Sequence, residues 1–303
     1  MAVSHTAVGT SLMRAIHTRK APNPLINDPW GDQLVPKAAS ENILKLAVAD
    51  LNPDERDEAL LSPETTLENF LTLALSDGFA NVILRTRYTE DALAASVANG
   101  VRQYVIIGAG FDSFALRSTA VAPDLNVYEI DHPDTQNLKR HGISELGLQL
   151  PDTYHFIASD LAKEDLGAAL ARSSYRPDIP AFFSWLGVTM YLSREANFAT
   201  LRAIVNTAAS GSELVFTYFD KVVFESNVAS ESQLRAQQAA AAVGESFQSR
   251  FAPSTLAEEL RGLGLSLVED MNDCETAETL GVTRAQNLQP HQLHRIARAI
   301  ITK

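Results

Sequence analysis

A glycine turn, Gly108-Ala109-Gly110, offers the first residues in this sequence whose types and spacing could serve chemistry. It follows the β-rich run 103–107, and the residues after it can begin a helix. Glycine allows the backbone to approach a ligand closely, and the N-terminus of a helix favours negative charge. The turn is therefore consistent with a ligand-binding loop, although a tight structural turn would use the same residue types.

A carboxylate follows the turn at the distance that nucleoside-binding folds use. Asp131 ends the second β-rich run about 20 residues after the glycines, where it can accept hydrogen bonds from ribose hydroxyls. A dinucleotide-binding turn would usually have a third glycine at position 113, but the chain has Ser113 there, and Asp112 would repel a pyrophosphate. The pattern indicates a nucleoside ligand and weakens a nicotinamide cofactor. A solvated strand end is the alternative for Asp131.

Short β-rich runs alternate with helical stretches from Val101 onward, which is typical of a parallel sheet covered on both faces. The predicted strands are 103–107, 126–131, 154–158, 181–185, 213–219, 265–269 and 293–300. Residues 1–100 predict an N-terminal helical cap, and residues 220–250 predict a mobile helical lid insertion. The predicted fold class is α/β, with a doubly wound, seven-stranded, mostly parallel sheet in the domain 101–303.

The amino-acid composition limits the cellular compartment in which the protein is expected and the partners that it can bind. With 303 residues and 46% apolar content, the chain can bury one large core. The single cysteine, Cys274, excludes an internal disulfide, and the histidines lack metal-ligand spacing, so no metal is expected. A net charge of −12 disfavours nucleic acid, and no run is long enough to span a bilayer. We expect a cytoplasmic protein without nucleic-acid or membrane partners, and homo-oligomers are possible.

Segments spread over about residues 10–300 resemble the leucine carboxyl methyltransferase-like family, which includes bacterial O-methyltransferases of polyketide and related natural-product pathways. The matching segments, in the family's order, are Asp28-Pro29 with Leu34-Val35, and the ranges 85–88, 105–113, 128–133, 160–161, 185–192 and 244–260. The resemblance implies a Rossmann-like class I methyltransferase fold. It also implies S-adenosyl-L-methionine as the cofactor.

The resemblance further implies which residues hold each part of this methyl donor. The turn Gly108-Ala109-Gly110 would pass beside the amino-acid portion, and Asp131 would hold the ribose. Asp160, with Leu161, would receive the adenine, because an aspartate can accept a hydrogen bond from an exocyclic amine and a leucine can cover a purine face. Asp160 could instead cap the helical stretch that follows it.

The donor's carboxylate needs a cation, and the family supplies an arginine from the segment matching 85–88. A guanidinium can engage a carboxylate in a bidentate pair, which makes Arg85 the first choice. Arg87 cannot share its helix face, and Arg14 is a further candidate. Leu186 is also expected at the donor site. Many family members carry a glutamate there, so this chain replaces an acid with apolar surface.

Three aromatic residues, Trp185, Tyr191 and Tyr218, lie at or after strand ends, where open α/β sheets bind ligands. They are the candidates for acceptor contact, although each could equally lie in the core. Arg250 could pair with an acceptor carboxylate or form a surface ion pair. No catalytic base is evident, and a carboxylate is ionised at neutral pH whereas a phenol would benefit from a base.

The sequence therefore predicts an S-adenosylmethionine-dependent O-methyltransferase that acts on a small molecule or a chain end, with a carboxylate as the favoured acceptor. Three alternatives stay open. The scaffold could serve an NAD(P)-dependent oxidoreductase, the chain could be a non-catalytic nucleoside-binding relative, and the acceptor atom could be nitrogen.

Overall fold

Seven strands form one sheet in the computed structural model, which describes residues 4–49, 51–117, 124–161, 163–225 and 230–303. The strands are β1 Gln103–Ile107, β2 Asn126–Asp131, β3 Tyr154–Ala158, β4 Phe182–Trp185, β5 Glu213–Phe219, β6 Leu265–Asn272 and β7 His294–Ile301. Their order is β3-β2-β1-β4-β5-β7-β6. The first five are mutually parallel, and β7 is antiparallel to both of its neighbours. This architecture confirms the predicted seven-stranded, mostly parallel α/β sheet.

Helices cover both faces of this sheet and precede it. They are α1 His5–Lys20, α2 Lys37–Ala47, α3 Pro53–Leu61, α4 Pro63–Asn69, α5 Ser76–Ala98, α6 Phe114–Arg117, α7 Pro133–Glu145, α8 Leu166–Leu170, α9 Arg194–Thr207, α10 Lys221–Glu225, α11 Glu231–Ala242, α12 Pro253–Arg261 and α13 Asp273–Thr279. A π-helical segment, Phe70–Ala74, joins α4 to α5. No helix within the described ranges is both long and apolar enough to cross a membrane.

The central strands are buried on both faces, as a doubly wound sheet requires. Every residue of β1 and β4 is buried. Because side chains alternate along a strand, Val105 and Ile107 of β1 pack in one hydrophobic cluster while Tyr104 and Ile106 pack in another. Because β1 to β5 run parallel, their carboxyl ends lie together at one edge of the sheet, where the site lies.

The N-terminal helix α1 is fastened to the loop that follows β1. Ser11 Oγ and Arg14 Nη2 donate hydrogen bonds to the Phe111 carbonyl oxygen at 3.2 and 2.8 Å. The predicted boundary of the helical cap at residue 100 falls between α5 and β1, and the division into cap and domain stays a prediction. Residues 1–3 and 50 of the predicted cap lie outside the described residues.

The predicted lid insertion contains α10 and α11, while its residues 226–229 lie outside the described part of the chain. Ser230 and Gln233 form a capping box that begins α11. Ser232 Oγ accepts a hydrogen bond of 3.1 Å from the backbone N–H of Asp77, in the first turn of α5. The described part of this range therefore contains two helices, and the insertion as a mobile lid stays a prediction.

Candidate active site

A cavity of about 440 Å³ opens at the carboxyl ends of the parallel strands, between the sheet edge and helices α1, α5 and α11. Open α/β sheets bind ligands at this edge. The predicted site residues that border the cavity are Arg85, Gly108, Ala109, Gly110, Asp131, Leu186 and Tyr191.

The turn after β1 can be built only with glycine at two positions. Gly108 and Gly110 have φ of +71° and +54°, in the left-handed region that disfavours side chains. A Cβ on Gly108 would lie 2.6 Å from Val188 Cγ2, and one on Gly110 would lie 2.9 Å from Ala7 Cβ. The turn therefore leaves space for a ligand that approaches the main chain.

Asp131, at the end of β2, holds this turn in place. One carboxylate oxygen accepts a hydrogen bond from the backbone N–H of Gly110, and the other accepts one of 2.6 Å from the backbone N–H of His132. Burial raises the pKa of Asp131, while these two backbone donors oppose the rise. The carboxylate borders the cavity, and its oxygens can still accept hydrogen bonds from ribose hydroxyls.

Arg85 brings a partly buried positive charge to the wall of the cavity. Its Nη1 donates a 3.0 Å hydrogen bond to Asn81 Oδ1, and burial lowers its pKa to about 10. Across the described residues, no carboxylate lies within salt-bridge distance of its guanidinium. A Cβ on Gly187 would lie 2.6 Å from Arg85 Nη2, so the glycine after β4 makes room for the cation. Asp273 attracts this charge only from beyond Asn81, so the guanidinium stays open to an anionic ligand.

The other two arginine candidates are already occupied. Arg87 is exposed and pairs with Asp91 at 2.8 Å, away from the cavity. Arg14 borders the cavity, but its Nε donates a 2.8 Å hydrogen bond to the buried carboxylate of Asp28. Of the three candidates, the geometry favours Arg85 as the residue available to a donor carboxylate.

The predicted adenine residues lie beside the cavity and not in its wall. The Ser159 backbone N–H donates to the Asp131 carbonyl oxygen at 2.9 Å, which places the end of β3 next to that of β2. Asp160 lies 2.7 Å from Lys163 Nζ, and Leu161 packs against the core beneath the sheet. Their contact with adenine stays a prediction.

Three of the four acceptor candidates lie outside the cavity wall. Trp185 and Tyr218 are buried in the hydrophobic core, and the Tyr218 hydroxyl donates to Asp270 at 2.9 Å. The Arg250 guanidinium lies 3.6 Å from the centroid of the Phe224 ring. Core packing holds the two aromatic side chains and a cation–π contact holds the arginine, and an acceptor role for these three stays a prediction.

Tyr191 and Leu186 do border the cavity, in the segment that follows β4. The Tyr191 ring packs on Phe247 with 5.6 Å between centroids, and burial raises its pKa to about 12. Leu186 presents apolar surface to the cavity where the family resemblance implies an acid.

Sequence reasoning missed a polar network at the far end of the cavity. Asn81 Nδ2 donates a 2.9 Å hydrogen bond to Asp273 Oδ1, and His294 Nδ1 lies 3.3 Å from Asp273 Oδ2. Asn81 and His294 border the cavity together with Phe219. The pairing of Phe219 with His294 across β5 and β7 could have signalled this cluster, but no local motif marks it.

Two parts of S-adenosylmethionine, its carboxylate and its ribose, fit groups that border this cavity. Its carboxylate would neutralise Arg85, and its ribose hydroxyls would bond to Asp131. The turn at Gly108 and Gly110 leaves open the space that a Cβ would fill. The residues present therefore fit the cofactor that the sequence implied.

Known proteins agree with this assignment. A relative from Bacillus subtilis (strain 168), YktD, provisionally named an S-adenosyl-L-methionine-dependent methyltransferase, is 27% identical over 300 residues, or 97% of each chain. A relative from Mycobacteroides abscessus with the same provisional name is 34% identical over 215 residues, which cover 70% of this chain and 66% of that protein.

Solved structures share the fold at low sequence identity. A DUF574 family protein from Streptomyces avermitilis has a TM-score of 0.57 at 18% identity, covering 86% of this chain and 96% of that one. A Thermobifida fusca protein provisionally described as a methyltransferase has a TM-score of 0.55 at 15% identity, covering 86% and 94%. The family described as leucine carboxyl methyltransferase matches residues 7–205. The chain therefore belongs to the leucine carboxyl methyltransferase family and is an S-adenosylmethionine-dependent methyltransferase.

Proposed function

We propose that this enzyme transfers the methyl group to an oxygen atom of a small, largely apolar acceptor or chain end. The observation that carries the proposal is the apolar wall of the cavity beyond Arg85. It includes Ile43, Leu71, Met190, Phe219, Ala240 and Phe247. Burying apolar surface is worth about 25 cal/mol per Å², so this wall would bind an apolar body and exclude water.

The cofactor supplies a methyl group that the positive charge on sulfur already activates. The protein therefore needs to orient an electron-rich oxygen and keep water away. A carboxylate, the acceptor favoured by the sequence, is ionised at neutral pH and needs no base. Arg14 is paired with Asp28, however, so a carboxylate acceptor would have to share Arg85 with the donor. A hydroxyl is the second candidate acceptor. His294, which borders the cavity beside Phe219, favours it.

The proposal extends to partners and compartment. The net charge of −12 argues against nucleic acid, and the free thiol of Cys274 is compatible with a reducing cytoplasm. A small apolar acceptor is also consistent with a role in secondary metabolism.

Three matched probes test the acceptor atom: 2-naphthol, 2-naphthoate and 2-naphthylamine, each incubated with S-adenosylmethionine carrying a radiolabelled methyl group. We expect label in an oxygen probe, and mild alkali would then release it from a methyl ester but not from an ether. The Asp131→Ala variant, altered at the donor end, should lose the transfer. Label in the amine alone, or in no probe, would contradict the proposal.

A further inference from the structure

A buried carboxylate and a buried imidazole lie together beside the cavity, and Asn81 links the carboxylate, Asp273, to Arg85. His294 is 9% exposed, and its ring borders the cavity. Its Nδ1 lies 3.3 Å from Asp273 Oδ2. Both atoms are buried and neither makes a hydrogen bond in the described chain, with each other included, so each is left open to the other at this separation.

The order of the strands separates this pair from the nucleoside end. Asp131 ends β2, and the sheet continues through β1, β4 and β5 to β7, which begins at His294. Four strand spacings of about 4.8 Å place the start of β7 roughly 19 Å from the end of β2. His294 packs edge-on against Phe219, with 5.1 Å between ring centroids. It therefore lies among the apolar groups assigned to the acceptor.

Hydrogen bonds fix the orientation of Asp273. Asn81 Oδ1 accepts from Arg85, so the Asn81 amide must present its Nδ2 to Asp273, whose Oδ1 accepts it at 2.9 Å. Asp273 is thus held as an acceptor on one oxygen, and its other oxygen faces His294 Nδ1. Of the two neutral tautomers of the imidazole, a carboxylate on this side favours the one with its proton on Nδ1, which leaves Nε2 as a proton acceptor.

We infer that His294 takes the proton from a hydroxyl acceptor, with Asp273 as the residue that positions its ring. The inference rests on the proposed function and selects a hydroxyl over a carboxylate as the acceptor. As the acceptor oxygen forms its bond to the methyl carbon, the O–H bond breaks and its proton moves to Nε2. The electron pair of the broken carbon–sulfur bond stays on sulfur, and the imidazolium later releases its proton to solvent.

Two variants test the inference, the first on the naphthol and naphthoate probes and the second by the NMR measurement described below. His294→Gln keeps a side chain of similar size but cannot accept the proton, and Asp273→Asn removes the orienting charge. We expect His294→Gln to lower kcat on 2-naphthol by about 10²- to 10⁴-fold, the usual contribution of a general base. Turnover of 2-naphthoate should be unchanged, and Kd for S-adenosylhomocysteine should change by less than about threefold. His291→Gln, outside the cavity wall, is the matched control.

Equal losses on both oxygen probes would overturn the inference, because they would mean a structural role. An unchanged rate on 2-naphthol would also overturn it. Transfer to naphthoate that His294→Gln leaves intact, with none to naphthol, would contradict the inference while the proposed oxygen acceptor stands. Label confined to 2-naphthylamine would instead contradict the proposed function itself.

A second measurement does not depend on turnover. Nitrogen-15 NMR of the imidazole in the complex with S-adenosylhomocysteine should show the His294 proton on Nδ1 in the wild type. Asp273→Asn should shift the population of the two tautomers, and Asn81→Ala should shift it less. A wild-type proton on Nε2 would overturn the inference whichever probes are methylated.

Discussion

The two ends of the cavity are built in different ways. At the donor end, main-chain turns and strand ends form the wall, and Gly108, Gly110 and Asp131 all lie within one β-α-β segment. At the end proposed for the acceptor, called the acceptor end below, side chains such as Phe219 and His294 come together from segments far apart in the chain. The donor end therefore depends on a backbone geometry that tolerates few substitutions. The acceptor end can change its chemistry when single side chains are exchanged.

The largest expected effect comes from placing a branched side chain in the donor turn. Gly108→Val would force a β-branched residue into a left-handed conformation, at about 1–2 kcal/mol, and drive its Cβ against Val188. Strain and collision should together weaken S-adenosylhomocysteine binding by at least about 100-fold. Isothermal titration calorimetry measures this change.

Gly147→Val provides the matched control. Gly147 has a similar φ of +65° and is exposed, and a Cβ added to it would meet no other atom within 4 Å. The substitution should lower the unfolding temperature without changing donor affinity. If both variants weakened donor binding equally, the contrast between the two ends would be wrong, because general strain would then explain the loss.

The second effect concerns the charge that lies between the two ends. Arg85→Gln should weaken binding of S-adenosylhomocysteine by about 10- to 100-fold, since charged hydrogen bonds contribute about 1.5–3 kcal/mol. It should also raise the unfolding temperature of the ligand-free protein, because desolvation disfavours the cation and Asp273 offsets this only from beyond Asn81. Arg87→Gln, on the exposed face of α5, should leave donor affinity unchanged. Equal losses in both variants would indicate long-range electrostatics and not direct contact.

The same contrast explains what the sequence could predict. The strands β1, β2, β3 and β5 have the predicted bounds because each is a short apolar run that ends in turn-forming or polar residues. Only β6 differs appreciably, since it continues to Asn272 beyond a register shift between Leu267 and Glu269. The glycine turn and Asp131 were predictable because their spacing is local.

The acceptor end was not predictable by such local patterns. His294 reaches the cavity only because β7 pairs antiparallel with β5, which no motif near residue 294 reveals. Trp185 follows the expected strand-end pattern, but its side chain packs into the core beneath the sheet. A strand end can be placed from the sequence, whereas the face that a terminal side chain takes depends on register.

The smallest expected effect tests whether helix α1 at the donor end is as rigid as the glycine turn and the strand ends. His17, on α1, accepts a 3.0 Å hydrogen bond from the Leu25 backbone N–H through Nε2, and burial lowers its pKa to about 4. Between its unfolded pKa of about 6.5 and this folded value, the unfolded state takes up a proton that the folded state does not. Stability should therefore fall as the pH falls through this window.

His17→Gln, which does not titrate, should reduce the loss by about 2–4 °C in unfolding temperature. His141→Gln, at an exposed position, is the control. If donor affinity at pH 5 falls in the wild type but not in His17→Gln, protonation of His17 displaces α1. The donor end is then rigid only where the glycine turn and the strand ends form its wall.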